Sequence, residues 1–183
     1  MADLYEISDA PKDPAIHVIF LHGLSGHHKK TWTYGKKDDG FWPKWLVEKF
    51  PELGVWTVGY SSGMTNWFGK SLSWTDAAEN VLRCINLEQR LANGNLVFIG
   101  HSNGGIVIKQ LLRAAERDSK KSDQRMREQA RSILSRTRGV IFLGVPHAGS
   151  LLPILADSIA GKSVLFRSSP TTNALKREDP SLR

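Results

Sequence analysis

One cysteine, Cys84, is all that the 183 residues contain. A lone thiol closes no internal disulfide and lacks the partners of a zinc or thioredoxin-like site. The chain is therefore expected to fold on its apolar core, in the cytoplasm or another reducing compartment. No apolar run approaches the roughly 20 residues that a membrane-spanning helix requires. The opening residues MADLYEISDAPKD are polar and partly acidic, unlike a signal or transit peptide. Spacings of the HExxH kind are missing, so the six histidines do not read as a metal site. No repeat or low-complexity tract is present, and no cofactor is implied.

What is present is the composition of a globular protein, 40% hydrophobic and 23% charged. The length suits one domain, spanning residues 1–183, with a core large enough to need no covalent staple. The net charge of +7 is unevenly placed, because residues 109–138 carry ten basic and four acidic side chains. Two readings stand: a solvated helix face with a polar loop, or attraction to an anionic surface such as a phospholipid membrane. Nucleic acid is not expected as a partner, since this stretch has no aromatic residue on which a base would stack.

Short apolar runs at 17–21, 55–60, 96–99 and 139–143 read as buried strands. Between them lie patterns of helical period. Trp42, Trp45, Leu46 and Phe50 mark one helix. Ala77, Ala78, Val81, Leu82 and Ile85 mark a second, with Ser73 or Thr75 as N-cap and Asn93-Gly-Asn95 as its stop. Ile106, Leu111 and Ala114 mark a third, and 118–138 reads as a charged helix or loop. Such alternation predicts a mostly parallel sheet with helices on both faces, and reactive groups at the carboxyl ends of its strands.

Gly100-His101-Ser102-Asn103-Gly104 fits G-x-S-x-G. The bare pattern arises by chance in a chain this long about one time in twenty; its position between a predicted strand and helix is what gives it weight. A serine at that turn is held in a strained conformation with its hydroxyl exposed, which makes Ser102 the candidate nucleophile. Flanking glycines leave room for the strand and helix to pass. The Asn103 backbone N–H is one expected oxyanion donor. The loop His22-Gly-Leu-Ser-Gly26 supplies the second, for which the Leu24 N–H is chosen, with Gly23 permitting it. A phosphate-cradling loop is the competing reading, but no Lys-Ser/Thr follows at P-loop spacing.

With these residues in view, the chain resembles the α/β-hydrolase superfamily, in particular its lipase-like serine esterases. The likeness rests on Phe20-Leu-His-Gly-Leu24 with Thr31-Trp32, on Gly100-His-Ser-Asn-Gly-Gly105, and on Phe142-Leu-Gly-Val-Pro-His-Ala-Gly-Ser150. The last is similar to a Gly-Thr-Pro-His-x-Gly-Ser segment of those lipases, with Val145 where Thr is usual. Trp42-Pro43, Gly59-Tyr60 and Val107-Ile-Lys-Gln110 add a likeness to the "serine active site containing" group. The resemblance covers roughly residues 16–155. It implies hydrolysis of carboxylic esters, including lipid esters, through an acyl-enzyme on Ser102. Asn103 stands where Leu or Met is usual, but its backbone N–H is unaffected.

Three histidines are candidate site-lining residues. His101 is expected to pack or hydrogen-bond under the elbow, His22 to order its loop, and His147 to play a structural or substrate-contacting part or, alternatively, to carry a proton. His27 and His28 read as surface residues. Eleven of the sixteen aromatic residues fall between Trp32 and Trp74. Trp42, Trp45 and Trp56 are expected to pack against the sheet, and Trp67-Phe68 to serve as an acyl-binding wall or membrane contact.

Serine needs a base, normally a histidine oriented by an acid. In the α/β-hydrolase order both follow the serine, acid first. After Ser102 there is one histidine, His147, and it precedes the late candidate acids Asp157, Glu178 and Asp179. The chain thus reads as the amino-terminal two-thirds of such a fold, a truncated α/β-hydrolase expected to be inactive by itself. The alternative is a non-catalytic hydrolase-like module that binds a lipid or a protein.

Overall fold

The computed structural model describes residues 2–7, 13–35, 38–61 and 73–146. Five strands form one sheet: β1 (Asp3–Glu6), β2 (Ile16–Leu21), β3 (Gly54–Gly59), β4 (Asn95–His101) and β5 (Thr137–Leu143). Four helices connect them: α1 (Trp42–Lys49), α2 (Trp74–Leu87), α3 (Asn103–Asp118) and α4 (Gln124–Arg136). The strand order is β1-β3-β2-β4-β5. β2 to β5 run parallel, and β1 adds antiparallel to β3. This is the mostly parallel sheet that the sequence predicts.

The order explains the layers. The step from β2 to β3 and the steps from β3 to β4 to β5 go in opposite directions across the sheet. Right-handed crossovers then place α1 on one face and α2 to α4 on the other. Val18, Phe20, Val55 and Ile99 pack beneath Trp32, Phe41 and Trp42 on the α1 face. Ile19, Leu21, Val58, Leu96 and Phe98 pack against Val81, Ile106 and Leu111 on the opposite face. Central strands buried on both sides read as continuous apolar runs, which is why the sequence marks β2, β3 and β4 clearly.

Local chemistry sets the helix ends. Ser73 begins α2 through a reciprocal capping box: its Oγ accepts from Asp76 N–H, and its own N–H donates to Asp76 Oδ2, each at 3.1 Å. Asp123 caps α4 by accepting from Met126 N–H at 2.8 Å.

Three expectations are corrected, and one strand is added. α2 stops at Leu87, and a 3-10 turn, Gln89–Leu91, intervenes before Asn93-Gly94. β1 was not legible in the polar opening; it is held by its ladder to β3 and by the Glu6–Arg90 ion pair at 2.6 Å. β5 was expected to be buried, yet it is the last strand on its side among the described residues, with Ile141 47% exposed. Trp45 is half exposed rather than packed, and its indole N–H donates to the Asp39 carbonyl. Trp42 and Trp56 do pack against the sheet. Trp67-Phe68, His147, Asp157, Glu178 and Asp179 lie outside the described residues.

Much of the basic charge in 109–138 is engaged. Arg117 pairs with Glu79 at 2.9 Å, Lys121 with Asp118 at 2.8 Å and Lys120 with Glu116 at 3.0 Å. Arg136 Nη1 donates to the carbonyls of Leu91, Asn93 and Gly94 and so closes the turn before β4. Arg125 and Arg131 remain exposed on α4.

His17 on β2 is 1% exposed and accepts a hydrogen bond from Trp56 Nε1 at 3.2 Å. Burial, and then the Arg136 charge, push its imidazole below the ordinary value of 6.5, against an opposing pull from the Asn93 backbone. The unfolded chain therefore takes up this proton at a higher pH than the folded one. Stability contributed by neutral His17 is complete above about pH 6.5 and is lost as the pH falls toward the folded value. The urea midpoint is expected to drop between pH 7 and pH 5, and His17→Gln to flatten that drop. An equal pH slope in the variant would remove His17 as the cause.

Candidate active site

The site lies where the crossing direction reverses, between the carboxyl ends of β2 and β4, which is where open α/β sheets leave a crevice. Leu21 of β2 pairs in register with Gly100 of β4. The residues that follow, His22-Gly23 and His101-Ser102, are thus carried out of the sheet side by side.

Ser102 has φ 52° and ψ −127°, a left-handed conformation unusual for a residue with a Cβ. Its N–H donates to the Leu143 carbonyl at 2.9 Å, and its carbonyl accepts from Gly105 N–H at 3.1 Å. The turn is crowded. A Cβ on Gly100 would sit 2.6 Å from the Gly105 backbone, and one on Gly104 would sit 2.6 Å from the His22 carbonyl oxygen. A Cβ on Gly105 would lie 2.8 Å from the Phe142 ring, so the end of β5 also closes on the elbow.

The oxyanion candidates arrive at the same point. Gly23 abuts Ser102: a Cβ there would lie 2.7 Å from Ser102 Cβ and 3.2 Å from its Oγ. Gly26 N–H donates to the Gly23 carbonyl at 3.0 Å, closing a turn with Leu24 second and Ser25 third. The left-handed residue of that turn is Ser25, at φ 52°, and not one of the glycines the sequence singles out. The Leu24 N–H takes no part in the turn's closing bond. Asn103 opens α3, so its N–H belongs to the first turn, whose amides have no intrahelical acceptor. The Asn103 side chain is 3% exposed, and its Nδ2 has no hydrogen-bond partner among the described residues.

The histidines fare differently. His22 is buried, donates from Nδ1 to the Gly23 carbonyl at 2.9 Å, and stacks on Tyr60. His101 does not pack under the elbow; it is exposed on the α1 side and meets the Trp32 ring edge-on at 6.1 Å. Strand alternation accounts for this, because Gly100 takes the inward position against α3 and leaves His101 on the other face. Among the described residues no histidine hydrogen-bonds the Ser102 hydroxyl. No group of three His, Cys, Asp or Glu among them is arranged to hold a metal. Trp32, Tyr34, Trp42 and Trp45 line an open cleft of about 410 Å³ beyond Trp32.

Tyr60 is the contributor that the sequence left unassigned. It follows β3, and its hydroxyl donates to the His22 carbonyl while its ring stacks on the imidazole at 4.4 Å and 9°. The Gly59-Tyr60 pair at a predicted strand end was the available signal.

No family model matches the chain. Protein SERAC1 of Bos taurus is 28% identical over 186 residues, covering 91% of this chain and 26% of its own length. The Mus musculus protein of the same name is 29% identical over 188 residues with the same coverage. The chain thus spans about a quarter of the length of the curated relatives it matches. Among solved structures, mature Bacillus licheniformis lipase BlEst2 aligns with TM-score 0.58 and 17% identity, covering 96% of this chain and 60% of that one. Phospholipase PlaB from Legionella pneumophila aligns with TM-score 0.60 and 17% identity, covering 91% of this chain and 34% of that one. With the sheet order, the elbow and these alignments together, the fold of this chain is that of the α/β-hydrolases.

Proposed function

We propose that this chain carries the nucleophile and oxyanion half of a serine hydrolase acting on carboxylic esters, with Ser102 as the attacking residue. The observation that supports it most is the left-handed Ser102 at the strand-to-helix turn. Backbone strain of this kind costs about 1–3 kcal/mol, and residues held in it concentrate at functional sites. In the reaction Ser102 Oγ attacks the ester carbonyl carbon and yields its proton to a base. The carbonyl oxygen becomes an oxyanion facing the N–H groups of Leu24 and Asn103, at the positive end of α3. Collapse expels the alcohol, which takes up the proton, and leaves an acyl group on Ser102 for water to remove.

The base and its acid are assigned to residues other than those described, His147 being one candidate. Lipid esters are the substrate class we favour, because the proteins that share the fold include a lipase and a phospholipase. The exposed Arg125 and Arg131 on α4 suit contact with an anionic phospholipid surface.

A serine-reactive fluorophosphonate is expected to label the natural full-length protein, and Ser102→Ala to abolish labelling. A folded, full-length sample that stays unlabelled would turn the assignment to a non-catalytic module binding a lipid or protein. The strain itself has a separate readout. Ser102→Gly relieves the left-handed conformation while Ser102→Ala keeps a Cβ in it, so the glycine variant is expected to be more stable by about 1 kcal/mol. Equal urea midpoints for the two would show that the turn is unstrained.

A further inference from the structure

We propose that Tyr60 is a positioning residue that aims the Leu24 N–H at the oxyanion, acting through His22; this rests on the hydrolase reading above. Tyr60 is 8% exposed and stands where β3 leaves the sheet, across β2 from the elbow. Its hydroxyl donates to the His22 carbonyl, which fixes the peptide between His22 and Gly23. Its ring lies flat against the His22 ring, 4.4 Å away and 9° from parallel, which fixes the imidazole plane.

The fixed imidazole then acts on the next peptide. His22 Nδ1 donates to the Gly23 carbonyl oxygen at 2.9 Å, and Gly26 N–H donates to the same oxygen at 3.0 Å. A trans peptide is planar, with its N–H pointing opposite to its C=O. Two donors holding the Gly23 oxygen on one side therefore direct the Leu24 N–H to the other.

The protonation states suit this task. A neutral imidazole has one N–H, and the contact with Gly23 requires it on Nδ1. Burial pushes His22 below its ordinary value, which keeps the ring neutral near pH 7. Burial pushes the Tyr60 phenol well above its usual range, so it stays a donor at any working pH. The clamp spends both side chains on the backbone, which accounts for a fully buried histidine that makes no hydrogen bond to Ser102 Oγ.

The test uses the natural full-length protein with Tyr60→Phe, which keeps the ring stack and deletes the hydroxyl, and Tyr60→Leu, which deletes both. Tyr60→Phe is expected to lower kcat on a short acyl ester about tenfold at unchanged KM, less than the ~100-fold or more of removing an oxyanion donor. Tyr60→Leu is expected to lower it further, and amide hydrogen exchange over residues 20–26 to quicken in both. A merely structural role would instead lower the amount of active protein and the unfolding midpoint without splitting kcat from KM. Ser102-dependent turnover that Tyr60→Phe leaves unchanged overturns the positioning role alone. Absence of Ser102-dependent turnover in the wild-type protein overturns the hydrolase reading, and this role with it.

Discussion

The carbonyl oxygens of Leu21 and His22 come so close to Gly104 that no Cβ fits between them. On that contact the rest of the site depends. It lets the first turn of α3 settle over the end of β2, next to the strand β4 from which α3 springs. Gly100 allows the same approach from the other side, where a Cβ would sit 2.6 Å from the Gly105 backbone. Gly104 and Gly100 thus replace side chains with close backbone packing, which brings the elbow against the loop after β2. A methyl group at either would push the start of α3 away from the strand ends. The sheet register, Leu21 opposite Gly100, sets where this happens.

Such a contact explains how a strained serine persists. A residue in a sparsely populated backbone region stays there only when its surroundings over-determine it. Ser102 is fixed by its N–H to Leu143, by its carbonyl to Gly105, and by Gly23 against its Cβ. Each restraint comes from a different element: β5, α3 and the loop after β2. The sheet is therefore the source of the stability that offsets the strain, and its two buried faces supply it through area removed from water. Apolar packing below the strand ends and polar geometry above them are one mechanical system.

How much of this was legible in the sequence follows from which forces act locally. β2, β3 and β4 showed themselves because burial on both faces writes an unbroken apolar run. Ser102, Gly23 and Gly104 showed themselves because a crowded turn admits few residue types. β1 did not, since Asp3-Leu-Tyr-Glu6 gains its strand from the β3 ladder and the Arg90 ion pair, both remote in sequence. The end of α2 was misplaced because Glu88 caps a separate 3-10 turn by accepting from Arg90 N–H, a local bond that leaves no glycine as a marker. His101 was misplaced by treating it as a loop residue, when it is the last residue of β4 and obeys strand alternation. Tyr60 was visible as a residue and silent as a contact, because its partner His22 lies 38 residues away and only the sheet brings them together.

These contacts also divide the labour of the site. Ser102 itself is held through backbone atoms, its N–H by the Leu143 carbonyl and its carbonyl by the Gly105 N–H. Buried His22 donates to the Gly23 carbonyl and Tyr60 to the His22 carbonyl, and neither hydrogen-bonds the Ser102 hydroxyl. On the hydrolase reading proposed above, charge stabilisation and proton transfer fall to different parts of the fold. The first needs rigid dipoles aimed in advance, which the strand ends and the α3 N-terminus provide without any ionisable group. The second needs a titratable side chain within hydrogen-bond reach of the hydroxyl, which a later loop can bring without disturbing the first. The strain at Ser102 is held by β5, α3 and the loop after β2 together, and none of them does so through an ionisable side chain.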